Sequence, residues 1–545
     1  MRRLLYGFVA LLALACTPSG YEGAAGVDSA VEIYPDYAGV ALPCNIAPMN
    51  FDIRSKADAW VAVFSGGGET LVRKGPEVRI PVEKWRALLD AAKGGELRIT
   101  LYSKEKGSWS RHPDIVNYVA PEPIDEYVTY RLIEPGYSGY GQLVLRQRRL
   151  SDFHEHDLYN NSLSTQQVDQ QCINCHSFQN YGTQNFQFHA RQLNGGTLIV
   201  TGDKTQKVAF RTGDLMSNAV YPSWHPTEPL IAYSVNKIMQ VFLTHDPNRL
   251  DAYDDDGDLV LYDVESREVS YVVHNPLAIE TFPYWSADGR TLYYASAYLP
   301  ELGLERGVNV AGTYDLMRYN LWSISFDPET RTFGTPEMVF HAAADSLSAV
   351  MPRPSPDGKY LLCSAASYGS FHIWHESADL YLTDLATGET RPLDEANSPR
   401  SESFKAWSSN SRWIVFTTRR DDRAYTRLYI TYFDEEGHAH KPFLLPQEDP
   451  EQNLSLFKSY NVPELTREPV HLNPKDIERA LKAEAVGTTQ VDRSPGRGGV
   501  PVTPDPDAVT SASVPVGLPA SAASKPLPAT SAPAGPAPQG QSFPQ

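Results

Sequence analysis

Nowhere in the 545 residues is there a second Cys-x-x-Cys or a His-x-x-x-His. That removes the four ligands a structural zinc site needs. Gly-x-Ser-x-Gly, the phosphate-binding loop and the dinucleotide glycine fingerprint are also missing, so hydrolase-elbow and nucleotide chemistry have no sequence support. Positive charge is in deficit: 48 Lys and Arg against 66 Asp and Glu give a formal −18. This balance argues against nucleic acid or an anionic membrane surface as partner. The one long apolar run, Leu4 to Ala15, is too short to span a bilayer.

Five cysteines are present, and two of them stand in Gln171-Cys-Ile-Asn-Cys-His-Ser177. Two thiols three residues apart, followed directly by a histidine, read as a c-type haem attachment site. On this reading Cys172 and Cys175 form thioethers to one covalently held haem c, and His176 is the proximal iron ligand. A disulfide or redox dithiol is the alternative, although the dithiol predicts a small βαβ unit that the following residues do not resemble. For the distal position His189, in Phe186-Gln-Phe-His-Ala-Arg191, is the best-placed candidate. Met216, Met239, His154, His156 and an open position compete with it.

Arg2 and Arg3 before the apolar run, and small residues after it, make residues 1–15 an export signal. Ala13-Leu14-Ala15-Cys16 resembles a bacterial lipoprotein signal, which implies lipidation of Cys16; plain cleavage after Ala15 is the other possibility. Export and the haem motif agree, because c-type haem is attached outside the cytoplasm. Cys44 and Cys363 are read as unpaired thiols buried in apolar surroundings.

A chain this long predicts several domains. Residues 16–30 are a small-residue linker. Residues 31–120 read as a β-sandwich of immunoglobulin-like kind, with strands around Trp60–Phe64 and Leu97–Tyr102 and a helix from Pro81 to Ala92. Residues 121–185 are the haem-attachment segment, without enough chain for a cytochrome domain of their own. Residues 451–487 form an extension with a helix over 474–485. Residues 488–545, nearly all Pro, Ala, Ser, Gly, Thr and Val, are a disordered tail.

Between 186 and 450 the sequence repeats. Aligning Trp224, Trp285, Pro354 and Trp407 brings Asp288-Gly289, Asp357-Gly358 and Asn410-Ser411 into one hairpin-turn column, and each unit carries a second strand pair. Four strands in 50 to 70 residues predict a β-propeller. The block resembles the WD-like repeats of TolB-type propellers, most nearly in Pro283-Tyr-Trp-Ser-Ala-Asp-Gly289. The resemblance implies a fold of five to seven blades, six being the expected number, with one blade completed by strands from the chain ends. It implies no activity, since propellers serve binding and catalysis alike.

Two further clusters are read as structural. His372 and His375, if on a strand, point to opposite faces, and the acidic run Asp254 to Asp258 lacks the glutamate spacing of a calcium loop. The expectation is a mainly β, exported, mono-haem c-type electron carrier of the cell envelope, anchored through lipid and exchanging electrons with a partner protein. A haem enzyme acting on a small oxidant and a scaffold lipoprotein with a secondary haem are the alternatives.

Overall fold

The computed structural model describes residues 20–135, 141–165, 171–210, 215–243, 246, 248, 250–305 and 312–492. The expected export signal, Cys16 and the tail beyond residue 492 lie outside the described residues. Among the described residues no helix is long and apolar enough to cross a membrane.

Residues 25 to 120 form a seven-stranded sheet and a three-stranded sheet. Strands Ala59–Gly66 and Glu96–Glu105 pair antiparallel at its centre, where alternation buries Trp60, Ala62, Phe64, Leu97, Ile99 and Leu101. The helix Val82–Ala92 turns Trp85, Leu88 and Leu89 into the same core. Its stripe follows the 3.6-residue period that the sequence displays. Parallel pairings of Ala41–Pro43 with Ile115–Ala120, and of Ala25–Gly26 with Ser108–Arg111, depart from an all-antiparallel sandwich.

Six further sheets of four to five strands are the blades of a propeller. In chain order their inner strands are Gln171–Phe178, Ala219–Trp224, Ala278–Trp285, Ser348–Pro354, Glu402–Trp407 and Ser459–Thr466. Each touches the next, and Ser459–Thr466 touches both Glu402–Trp407 and Gln171–Phe178, so the ring closes. We number the blades by position: the first joins Ser459–Thr466 to Tyr127–Ile133, Val144–Arg149 and Glu155–Asn160. The second runs from Gln171–Phe178 through Asn185–Gln192, Gly196–Thr201 and Lys204–Ala209, and the third to sixth follow in sequence.

Hairpins between first and second strands repeat one polar network. The Ser286 hydroxyl donates to Asp288 and accepts from the Thr291 amide; Ser355 with Asp357 and Tyr360, and Ser408 with Asn410 and Trp413, do the same. Gly289, Gly358 and Ser411 take positive φ there, as the aligned turn column requires. His225 fills the serine's place in the third blade, accepting the Thr227 and Glu228 amides on Nδ1, with Nε2 against Gly289 O at 2.9 Å.

The expected division at 185 and 186 falls inside the second blade. Residues 121–185 supply three strands of the first blade and the inner strand of the second, while the extension 451–487 supplies the first blade's inner strand. The helix Pro474–Lys482, capped by Asn473, buries Ile477 and Leu481 against these two blades. The N-terminal sheets share one core with the first and sixth blades, so they cover the seam where the ring closes. Trp413 of the sixth blade donates its indole N–H to Glu122 O at 3.1 Å across that seam.

A long hairpin in the third blade, Leu230–Phe242 with Leu250–Asp263, reaches across to the fifth blade. There Asp251 pairs with His375 Nε2 at 3.1 Å and Ser370 donates to Asp254 at 3.3 Å. One expectation is corrected here. His372 and His375 lie at a 3-10 turn, both buried, with ring centroids 5.6 Å apart. The acidic run, read above as structural, is part of a paired strand that buries Asp254 and Asp258.

Candidate functional site

The motif occupies the inner strand Gln171–Phe178, beside the propeller axis. All six inner strands bulge by one residue against their neighbour, and the second blade does so between Asn174 and Ser177. At the same place stand Cys175, Tyr221, Phe282, Met351 and Val462, all with φ between 49° and 56°. The next residues are His176, Pro222, Pro283, Pro352 and Pro463. The last residues of the haem motif therefore fill a structural column of the repeat. Cys-His-Ser-Phe against Tyr-Pro-Ser-Trp was the signal in the sequence, and it was missed because histidine replaces the proline that marks the other units.

Strand alternation then sorts the side chains. Ile173 pairs with Ala190, and both belong to the core between the first two blades. Cys172 pairs with Arg191 and Asn174 with His189 at the alternate positions, yet Cys172 also packs against that core and Asn174 lines the space beside His176, so this inner strand does not separate two faces cleanly. After the bulge His176 turns back to the first blade, into a narrow void that it shares with Arg131, Leu145, Ile173, Asn174 and Phe188. Arg131 reaches over from the first blade to donate to Ile173 O at 3.0 Å.

His176 is 3% exposed and its Nε2 has no hydrogen-bond partner. Burial, with the nearby Arg131 charge, pulls its pKa from the ordinary 6.5 to about 3, against the opposing effect of the Thr129 and Val462 backbone. The imidazole is neutral, as a metal ligand must be. Thr129 Oγ1, Arg131 Nε and Asn174 Oδ1, on the same or the adjoining strands, are likewise buried without partners. Such a concentration of orphaned polar atoms marks a place where the protein chain does not complete its own hydrogen bonding. Both thiols are free, and burial raises that of Cys172 although Arg131 and Arg191 oppose it.

His189 is buried at 2% exposure, with Nδ1 3.0 Å from the Thr197 hydroxyl. Burial, then the Arg191 charge, brings its pKa to about 3. The strand does not bring His176 and His189 together: Phe188 shares the His176 void, so its neighbour His189 projects from the other face. The expected sandwich of one iron between these imidazoles is not formed by the strand as folded. Of the other distal candidates, Met239 is 44% exposed on the long hairpin, and His154 and His156 lie near the first blade's outer strand.

The donor set fits a c-type haem: two unbonded thiols and a neutral imidazole with an unpartnered nitrogen within five residues. Their presentation from a strand does not, because Cys172 and His176 are set four residues apart along an extended strand and the void beside His176 is too small for a haem. Bonding through all three requires residues 172–176 to leave the sheet for a turn. Cys44 is half-buried with Sγ 3.5 Å from Pro121 O, and Cys363 is fully buried in the propeller; neither is in a disulfide.

No family model matches the chain, and no curated protein matches it. Among solved structures it is similar to an ACO/RPE65 chimera, with 10% identity over 81% of this chain and 97% of that one and a TM-score of 0.34. It is also similar to oligogalacturonate lyase in complex with manganese, with 12% identity over 76% and 99% and a TM-score of 0.27. The Dos1 propeller is similar at 14% identity over 43% and 63%, with a TM-score of 0.25.

Proposed function

We propose that this chain is an exported electron-transfer protein in which one haem c is held by Cys172 and Cys175, with His176 as iron ligand, on a six-bladed propeller. The observation that carries this reading is the buried, neutral His176 with an unpartnered Nε2, directly after two unbonded thiols. The haem supplies reversible one-electron chemistry. The chain's own part is to hold it: thiols from the strand beside the axis, an imidazole from its bulge, and Arg131 nearby as a cation.

Gln171–Phe178 is suited to giving up its strand path. It is paired on one side only, along Asn185–Gln192, and its bulge already interrupts that pairing. His189, paired with Asn174 on the adjoining strand, remains our candidate for a second residue that would hold the iron. Export through residues 1–15, lipid anchoring at Cys16 in the periplasm or outer membrane, and a redox partner protein of the envelope belong to the same reading. The full chain, produced in a host that matures c-type cytochromes, is expected to show a reversible c-type spectrum that survives acid-acetone extraction. A colourless protein from that host overturns the reading.

A second reading is favoured by the column that Cys175 and His176 share with Tyr221-Pro222 and its equivalents. Here the propeller is an envelope scaffold and any haem is secondary. His176→Ala distinguishes the two: a scaffold retains its envelope partners, whereas an electron carrier loses reduction by them.

A further inference from the structure

Beyond the bulges, the inner strands widen into a funnel of about 250 Å³ at one end of the axis, walled by all six blades. The first residue to pair again after each bulge is Ser177, Ser223, Tyr284, Arg353, Lys405 or Glu464. Four of these line the funnel, and Arg353 stacks on one of them, its guanidinium 4.1 Å from the Tyr284 ring centre. This level of the axis thus carries two cationic side chain types and one carboxyl group from three consecutive blades.

Donors outnumber acceptors there. Arg353 donates to Pro352 O at 2.8 Å, and among the described residues it has no carboxylate salt-bridge partner. Lys405 Nζ is buried without a hydrogen-bond partner. Trp224 and Trp285 line the funnel with their indole N–H groups equally unpartnered. At the rim the exposed Arg467 lies over the Tyr181 ring at 5.6 Å. Glu464, the acid at this level, accepts the Phe178 amide at 3.0 Å. Burial, against the pull of Arg353, raises its pKa to about 8, so at neutral pH it is itself a donor.

We propose that the funnel binds an organic carboxylate, its body between Tyr181 and Tyr284 and its anionic head beside Glu464, turned toward the Arg353 guanidinium that stacks on the Tyr284 ring next to the funnel lining. A guanidinium seated on an aromatic face and without a carboxylate partner in the protein is complementary to a carboxylate. Rings on the walls favour a flat or apolar body. The carboxylate belongs either to a free small acid or to the end of a peptide. The inference uses none of Cys172, Cys175 and His176, but it rests on the strand path of Gln171–Phe178 seen here, which supplies Ser177 and Phe178 to the funnel wall, so the titration is made on the haem-free chain.

The test is calorimetric titration of the full chain with benzoate, and with an acetylated dipeptide bearing a free or an amidated C-terminus. Saturable binding of benzoate alone assigns free acids; binding of the free peptide but not its amide assigns chain ends. Equal binding of peptide and amide, or no saturable heat from any probe, overturns the proposal. Arg353→Gln is expected to weaken binding at least about tenfold. Should that variant not fold, the wild-type chain supplies the second test. Groups facing Glu464 are Arg353, Tyr284, Tyr181 and Arg467, with Asp125 beside Tyr181 and Lys405 beside Arg353. As pH rises through about 8, ionised Glu464 repels the anion, so affinity falls by up to about tenfold per unit. Glu464→Gln flattens that fall. A wild-type affinity that stays constant from neutral pH to well above 8 overturns the proposal.

Discussion

Cys175 and Tyr221 stand at the same register of neighbouring inner strands, each at the bulge and each left-handed, with φ of 54° and 49°. A left-handed backbone costs a side chain with a Cβ about 1 kcal/mol or more, and glycine much less. Cys175→Gly is therefore expected to raise the thermal transition of the haem-free protein by a few degrees, while leaving a single thioether through Cys172 in the matured protein. Mass analysis and a melting curve check both halves. A lowered transition means that the thiol's packing matters more than the backbone.

His189 is expected to act from the strand next to the motif. His189→Ala should keep the haem covalently attached and convert a low-spin ferric spectrum to a high-spin one. A spectrum that stays low-spin assigns the sixth ligand elsewhere and removes His189 from the site.

Closure of the ring rests on Ser459–Thr466, which hydrogen-bonds along Tyr127–Ile133 from more than 300 residues away in sequence. A chain ending at Lys458 leaves the first blade without its inner strand and uncovers Tyr130, Leu132 and Tyr460's partners in the shared core. It is expected to lose cooperative unfolding, whereas a chain ending at residue 492 should match the full chain. Circular dichroism melts decide it, and an unchanged melt for the shorter chain contradicts the closure.

Asp254 on the long hairpin is buried, and burial raises its pKa to about 6, against hydrogen bonds from Asn236, Ser370 and Tyr319. The unfolded chain releases this proton near 3.8 and the native one near 6, so stability falls as pH rises across that window and is flat above it. Asp254→Asn, which mimics the protonated form, is expected to gain up to about 2 kcal/mol at pH 7 to 8 and almost nothing below pH 4. Urea midpoints at both pH values measure this. A loss at pH 7 shows that Asp254 is held ionised by its neighbours.

The propeller was legible because its hairpins repeat a local chemistry. Serine two residues before Asp288, Asp357 or Asn410 closes the same turn each time, and the strands behind it alternate. Six blades and completion of one by the chain end could be anticipated from that count. The helix at Val82–Ala92 was legible from one stripe, Trp85, Leu88 and Leu89. What sequence could not give is long-range pairing. Tyr127–Ile133 shows nothing of its partnership with Ser459–Thr466, so the first blade looked like a free haem segment. Likewise Cys175-His176 gave no sign that the motif would lie in an inner strand and fill its bulge, because local spacing carries no information about how a strand is paired.

The central claim is covalent haem on this strand. Tryptic digestion of the full chain from a maturation-competent host releases the peptide from Leu150 to Arg191, which contains both motif cysteines. The account predicts that this peptide carries the mass of one haem and that neither Cys172 nor Cys175 can be alkylated. The same peptide recovered without haem, with both thiols alkylated or joined to each other, would contradict it.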